Sequence, residues 1–169
     1  MLMIALVITG TATMMIGGCG GADSASADTE TTAASSSPSE TVAAGGDGAA
    51  LAEEILATFD QLVADVAELA TPQPDPGVLK PQLQELYDRY ETTMTDLNAR
   101  YLALRDADQT AFQDCNRYLS DNRPQHVSVK DNALSDPVAH YNLEVGDQEL
   151  VSLLSKRPVE LLEIAVAQN

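Results

Sequence analysis

Apolar residues recur along the later two thirds of the chain at the spacing of a helix face. Leu51, Ile55, Phe59, Leu62, Val66 and Leu69 follow one another at steps of four, four, three, four and three, which puts them on one side of an α-helix. Pro72, Pro74, Pro76 and Gly77 then end the pattern, since such a cluster cannot continue a helix. The stepping resumes with Leu79, Leu83, Leu86, Tyr90, Met94, Leu97, Tyr101 and Leu104. It predicts a second long helix whose regular part begins near Lys80, with Pro81 tolerated in the first turn. On its other face Glu85 with Arg89, and Asp96 with Arg100, are acid-before-base pairs four residues apart. Each such pair adds about 0.2–0.5 kcal/mol.

Beyond residue 105 the pattern shortens. Asp106 or Asp108 can cap a third helix through QTAFQDCNRYLSD, with Phe112, Cys115 and Leu119 on one side. Residues 121–136 read as irregular, and HVSVK within them alternates like a strand but has no partner strand. Ser135 or Asp136 before Pro137 is a helix-start signal, so PVAHYNLEV predicts a short helix. Asp147 is placed to cap QELVSLLSKR, and Pro158 either kinks that helix or opens a last one, PVELLEIAVAQ. The expectation is an all-α fold: a small helical bundle over residues 48–169, with two long antiparallel helices and shorter C-terminal helices.

The first part of the chain follows a different rule. Residues 1–18, MLMIALVITGTATMMIGG, carry no charge and end in small residues, the shape of a secretory signal peptide. The junction Ile16-Gly17-Gly18-Cys19 resembles the lipobox of bacterial lipoproteins: an aliphatic residue, two small residues, then the cysteine. The resemblance covers about twenty residues, and the run departs from the usual pattern in having no Lys or Arg before its apolar stretch. It implies that the Cys19 thiol receives a diacylglyceryl group and that the chain is cut before Cys19. It also implies location in a bacterial cell envelope, lipid-anchored to a membrane. Residue 20 is Gly rather than Asp, which in a Gram-negative envelope favours the outer membrane, facing the periplasm. Residues 19–47 follow as the lipidated Cys and an acidic linker of Gly, Ala, Ser and Thr. That composition predicts disorder, and a coil of that length has an r.m.s. reach of about 30 Å.

Charge narrows the functional classes. The formal net charge is −17, and all nine Lys and Arg lie after residue 79. Residues 48–169 hold 21 acids against those 9 bases, a net charge near −12. Such a surface repels phosphate, so nucleic acid is excluded as a partner. It repels anionic lipid headgroups for the same reason, which leaves the lipid on Cys19 as the expected membrane contact.

Chemistry-bearing motifs are sparse. With Cys19 lipidated, Cys115 is the remaining cysteine, so no intramolecular disulfide can form; its helical spacing from Phe112 and Leu119 predicts a buried thiol. His140 and Glu144 are four apart and could face one metal, but two ligands are too few, and the Glu-x-x-His pairs of bundle metal sites are absent. DADQTAFQDCNR starts like a calcium loop but has Ala111 where the loop needs Gly and Arg117 where it needs Glu. No nucleophile elbow, phosphate loop or zinc signature is present. The sequence therefore predicts no catalytic residue, no metal and no cofactor. Arg117, Arg123, His126 and Lys130 form a local basic cluster in an acidic body. They read either as solvated charges or as a docking loop for an acidic partner. Tyr87 and Tyr141 are candidate contact residues, since Tyr favours interfaces; half-buried rings at the bundle edge are the plainer reading. The expected function is an envelope lipoprotein whose helical domain works by contact with another envelope protein or as a structural element. The alternatives are a ligand-binding bundle with an apolar pocket between its helices and, further off, an enzyme using acids near Glu144 or Glu149.

Overall fold

In the computed structural model, residues 47–168 are described, and they contain six α-helices, one π-helical turn and no strand. Ile16, Gly17, Gly18, Cys19 and the linker lie outside the described residues. The first predicted helix is α1 (Asp47–Ala70), and the second is α2 (Pro76–Ala107). α2 starts four residues before Lys80, because Asp75 caps it: its carboxylate accepts from the Gly77 N–H at 2.8 Å. Between the two helices Gln73 takes a left-handed backbone with φ of 52° and reverses the chain.

α3 (Gln109–Ala133) overturns the expectation of an irregular stretch over 121–136. Only Asp108 separates it from α2, and the Asp108 carboxylate accepts from the N–H groups of Thr110 and Ala111. The helix runs through Pro124, whose ring is exposed, and HVSVK is part of it. Its inward face continues beyond Leu119 through His126 and Lys130, polar residues in core-facing positions. Each finds a partner on a neighbouring helix, and with only Val127 packing against the core between Leu119 and Leu134 the apolar periodicity is too sparse to display the helix.

The chain then turns through α4 (Ser135–His140) and a π-helical turn (Tyr141–Val145), ended by Gly146 at φ of 74°. Asp147 caps α5 (Gln148–Ser155) through the Leu150 N–H, and Pro158 sits in the first turn of α6 (Arg157–Ala165). Pro158 thus begins a last helix.

Cross-links between elements give the topology. Arg100 with Glu54 and Tyr90 with Asp65 make α1 and α2 antiparallel. Tyr118 with Glu53 and His126 with Asp60 make α3 parallel to α1. Lys80 with Glu149, Arg157 with Glu91 and Asn98 with the Ala165 carbonyl align α5 and α6 with α2. The body is therefore a four-helix bundle, up-down-up-down, whose fourth member is broken into α5 and α6. Three of its helices are long, rather than the expected two. Arg100 was expected to pair with Asp96 and instead makes a two-pronged contact with Glu54 of α1, at 2.6 and 2.7 Å. The guanidinium holds the Glu54 carboxyl below its ordinary range.

Ile55, Phe59, Leu62, Val66, Leu79, Leu83, Met94, Cys115, Leu150, Leu154, Leu161 and Leu162 share one core. Where α1 meets α3 the backbones nearly touch. A Cβ on Gly48 would stand 2.0 Å from the Ala111 carbonyl oxygen, so only glycine fits. Gly48→Ala is expected to push the first turn of α1 off α3 and cost about 1–3 kcal/mol, read as a lowered urea midpoint. Gly77→Ala meets only the Asp75 carboxylate, at 3.1 Å, and should cost less. An equal or larger loss at Gly77 would contradict this packing.

Candidate functional site

Four basic side chains were candidates for an exposed docking loop. They lie instead along helix α3, and each is engaged within the molecule. Arg117 is exposed and pairs one turn back with Asp114. Arg123 reaches across to Glu163 of α6. His126 presents Nδ1 to both carboxylate oxygens of Asp60 on α1, at 2.8 Å. Lys130 is only 4% exposed; its ammonium donates to the Ser155 carbonyl at the end of α5 at 2.8 Å and sits 2.7 Å from Asp131. Three of the four thus tie α3 to its neighbours. The reason is geometric: on a helix the spacing 123, 126, 130 falls on one face, and that face is turned inward.

Tyr87 and Tyr141 also depart from the contact reading, because both are fully buried. The Tyr87 hydroxyl donates to the Leu153 carbonyl at 2.8 Å, and the Tyr141 hydroxyl donates to the Pro74 carbonyl at 2.7 Å. Burial pushes the Tyr87 phenol far above its ordinary range; burial and the Asp75 carboxylate raise that of Tyr141. Their rings fill the core while their hydroxyls satisfy carbonyls that would otherwise lack a donor.

Cys115 is free and buried, as its spacing predicted, and burial pushes its thiol up to about 11. The thiolate is the reactive form. A thiol reagent near pH 8 should therefore label native Cys115 roughly a hundredfold more slowly than the urea-unfolded chain. Rapid stoichiometric labelling of the native protein would contradict its burial.

Two surface features remain. The first is a groove of about 500 Å³ between α3 and α6, lined by Tyr101, Asn116, Leu119, Arg123, Glu163 and Gln168 among others. Its polar groups already bond one another: Tyr101 donates to Asn116 Oδ1 at 2.6 Å, and Gln168 Nε2 donates to the Tyr101 hydroxyl at 3.1 Å. The second is a set of exposed aliphatic side chains: Val78 (52% exposed), Val129 (53%), Leu143 (79%) and Val145 (43%). Val78 opens α2, Val129 is in the last turns of α3, and Leu143 and Val145 are on the π-helical turn. All four lie towards the same end of the bundle. The Tyr141–Pro74 bond joins the π-helical turn to the α1–α2 loop there, some 36 Å along α1 from Asp47. Sequence reasoning missed this end. The available signal was the alternation Asn142-Leu143-Glu144-Val145, whose period of two does not suit a helix packed on a core.

Among the described residues, no three His, Cys, Asp or Glu side chains are placed to hold a metal ion, and no helix is long and apolar enough to cross a membrane. His140 and Glu144 pair with each other at 3.0 Å. Comparison of the chain with protein-family models, with characterised proteins and with solved structures gave no match.

Proposed function

We propose that the chain is a lipoprotein of a bacterial cell envelope, held to a membrane by acyl chains on Cys19, whose four-helix body works by contact with another envelope protein or as a structural element. The lipobox-like Ile16-Gly17-Gly18-Cys19 supports the anchor. Each buried methylene adds about 0.8 kcal/mol, so two or more chains hold stably without help from the acidic body.

The observation that carries the contact reading is the gathering of exposed aliphatic side chains at one end of the bundle. Single exposed apolar residues are ordinary, whereas several towards one end of a small body support a contact surface there.

Native mass spectrometry of the detergent-extracted protein from its own host tests both halves. The expected spectrum shows acyl mass on a chain starting at Cys19 and a retained second protein. An uncut chain would remove the lipoprotein reading. A retained small molecule in place of a protein would favour a ligand-binding bundle.

A further inference from the structure

We propose that the end of the bundle around the π-helical turn is a docking surface for a basic protein, with Leu143 and Val145 as the apolar contacts; this rests on the contact reading above. Leu143 is the most exposed of the large hydrophobic side chains in the described body, at 79%. It is also firmly mounted. The residue two before it, Tyr141, is buried and bonded to Pro74. Gly146 closes the turn in a left-handed conformation, and the Asp147 N–H donates to the Tyr141 carbonyl. Gln148 Nε2 donates to Asn142 Oδ1, and Lys80 of α2 grips both Asp147 and Glu149. Side chains bonded on both flanks thus hold an aliphatic knob outward into water. π-Helical turns are uncommon and are frequent at functional sites.

Charge selects the occupant. Residues 131–149 carry Asp131, Asp136, Glu144, Asp147 and Glu149 and no Lys or Arg. Lys80 and Lys130, from α2 and α3, pair with Asp147, Glu149 and Asp131, so five acids face two cations and the knob's surround keeps an acidic excess, on a body of net charge near −12. A second copy would bring the same acids to the interface, and an anionic lipid surface would bring phosphates; like charges oppose both. A partner with an apolar pocket rimmed by Lys and Arg is complementary in both respects. The described body begins at Asp47, at the other end of α1.

The test is site-specific photo-crosslinking of the full-length protein in its host envelope. Benzoylphenylalanine is placed at Leu143, at Val145 and, as a control on the outer face of α2, at Thr95. The expected result is one protein adduct from positions 143 and 145 and none from 95, with the contact peptide of the partner rich in Lys and Arg. Salt of about 0.5 M should weaken it by screening. Leu143→Asp should lower the adduct from position 145 about tenfold. That variant adds a carboxylate, so attraction by charge alone would leave the yield unchanged or raised, and such a result would overturn the proposal. An adduct to the chain itself, or to lipid, would overturn it in favour of those occupants. Protein adducts from Thr95 alone would overturn this surface while leaving the contact reading in place. No adduct from any position, with no retained protein in the native mass spectrum, would overturn both.

Discussion

Lys130→Glu is expected to unfold the protein under conditions in which the wild-type chain is folded, with a loss of about 3–5 kcal/mol. The ammonium is nearly inaccessible and is spent on the Ser155 carbonyl and on Asp131. A glutamate there would set a buried carboxylate against a carbonyl oxygen and a second carboxylate, with no donor to satisfy it. A domain has only about 5–15 kcal/mol of net stability, so the loss would remove much of it. Lys130→Met keeps the aliphatic stem and forfeits the bond, leaving one carbonyl short of a donor; about 1–3 kcal/mol is expected. Urea titrations followed by far-ultraviolet circular dichroism would rank wild type, Lys130→Met and Lys130→Glu in that order. Equal midpoints for all three would show that Lys130 points into solvent. A charge reversal at this position thus reports on folding rather than on the capture of an acidic partner, as does one at Arg123, which pairs with Glu163 across the α3–α6 seam.

The second large effect is expected at the centre of α1. Phe59 is fully buried, in the core shared by all the long helices. Phe59→Ala removes the ring and leaves a cavity that packed helices close only in part, costing about 3–5 kcal/mol. Gln61, two residues along the same helix, is exposed and bonds only Asp65; Gln61→Ala should shift stability by no more than about 0.5 kcal/mol. The comparison holds helix propensity nearly level and isolates burial. If the two variants unfolded at similar urea concentrations, the assignment of the α1 inner face would be wrong.

The parts of the fold legible in the sequence were those where burial and hydrophobicity coincide. On α1 and α2 the predicted apolar steps are buried, apart from the half-buried Leu69, Tyr90 and Leu104, and the buried face is wider than predicted, taking in Ala52, Leu56, Val63, Ala70 and Tyr87. Asp108 and Asp147 serve as caps because a short carboxylate before a helix reaches its first free N–H groups. α3 was hidden beyond Leu119 because, Val127 aside, its inward positions are a histidine and a lysine, and a hydrophobic pattern cannot register a polar side chain satisfied by a residue 66 positions away, as His126 is by Asp60. Tyr87 and Tyr141 were ambiguous for a related reason. A tyrosine is buried when a carbonyl is placed to accept from it, and the Leu153 and Pro74 carbonyls come from other parts of the chain.

The sequence by itself determined the helical class, the two helices with unbroken apolar faces, the Asp147 cap and the Asp106-or-Asp108 start of the third helix, the acidity of the body and the lipobox-like run at Cys19. These depend on neighbours within one or two helical turns, or on composition, and need no distant partner. The tertiary structure decided the rest: that the bundle has three long helices and a broken fourth, that Gly48 is required where α1 packs on α3, and that Arg123, His126 and Lys130 tie α3 to its neighbours. It also decided that Leu143 and Val145 remain in water. An aliphatic residue is core or contact according to what packs over it, and that is settled by segments far apart in the chain.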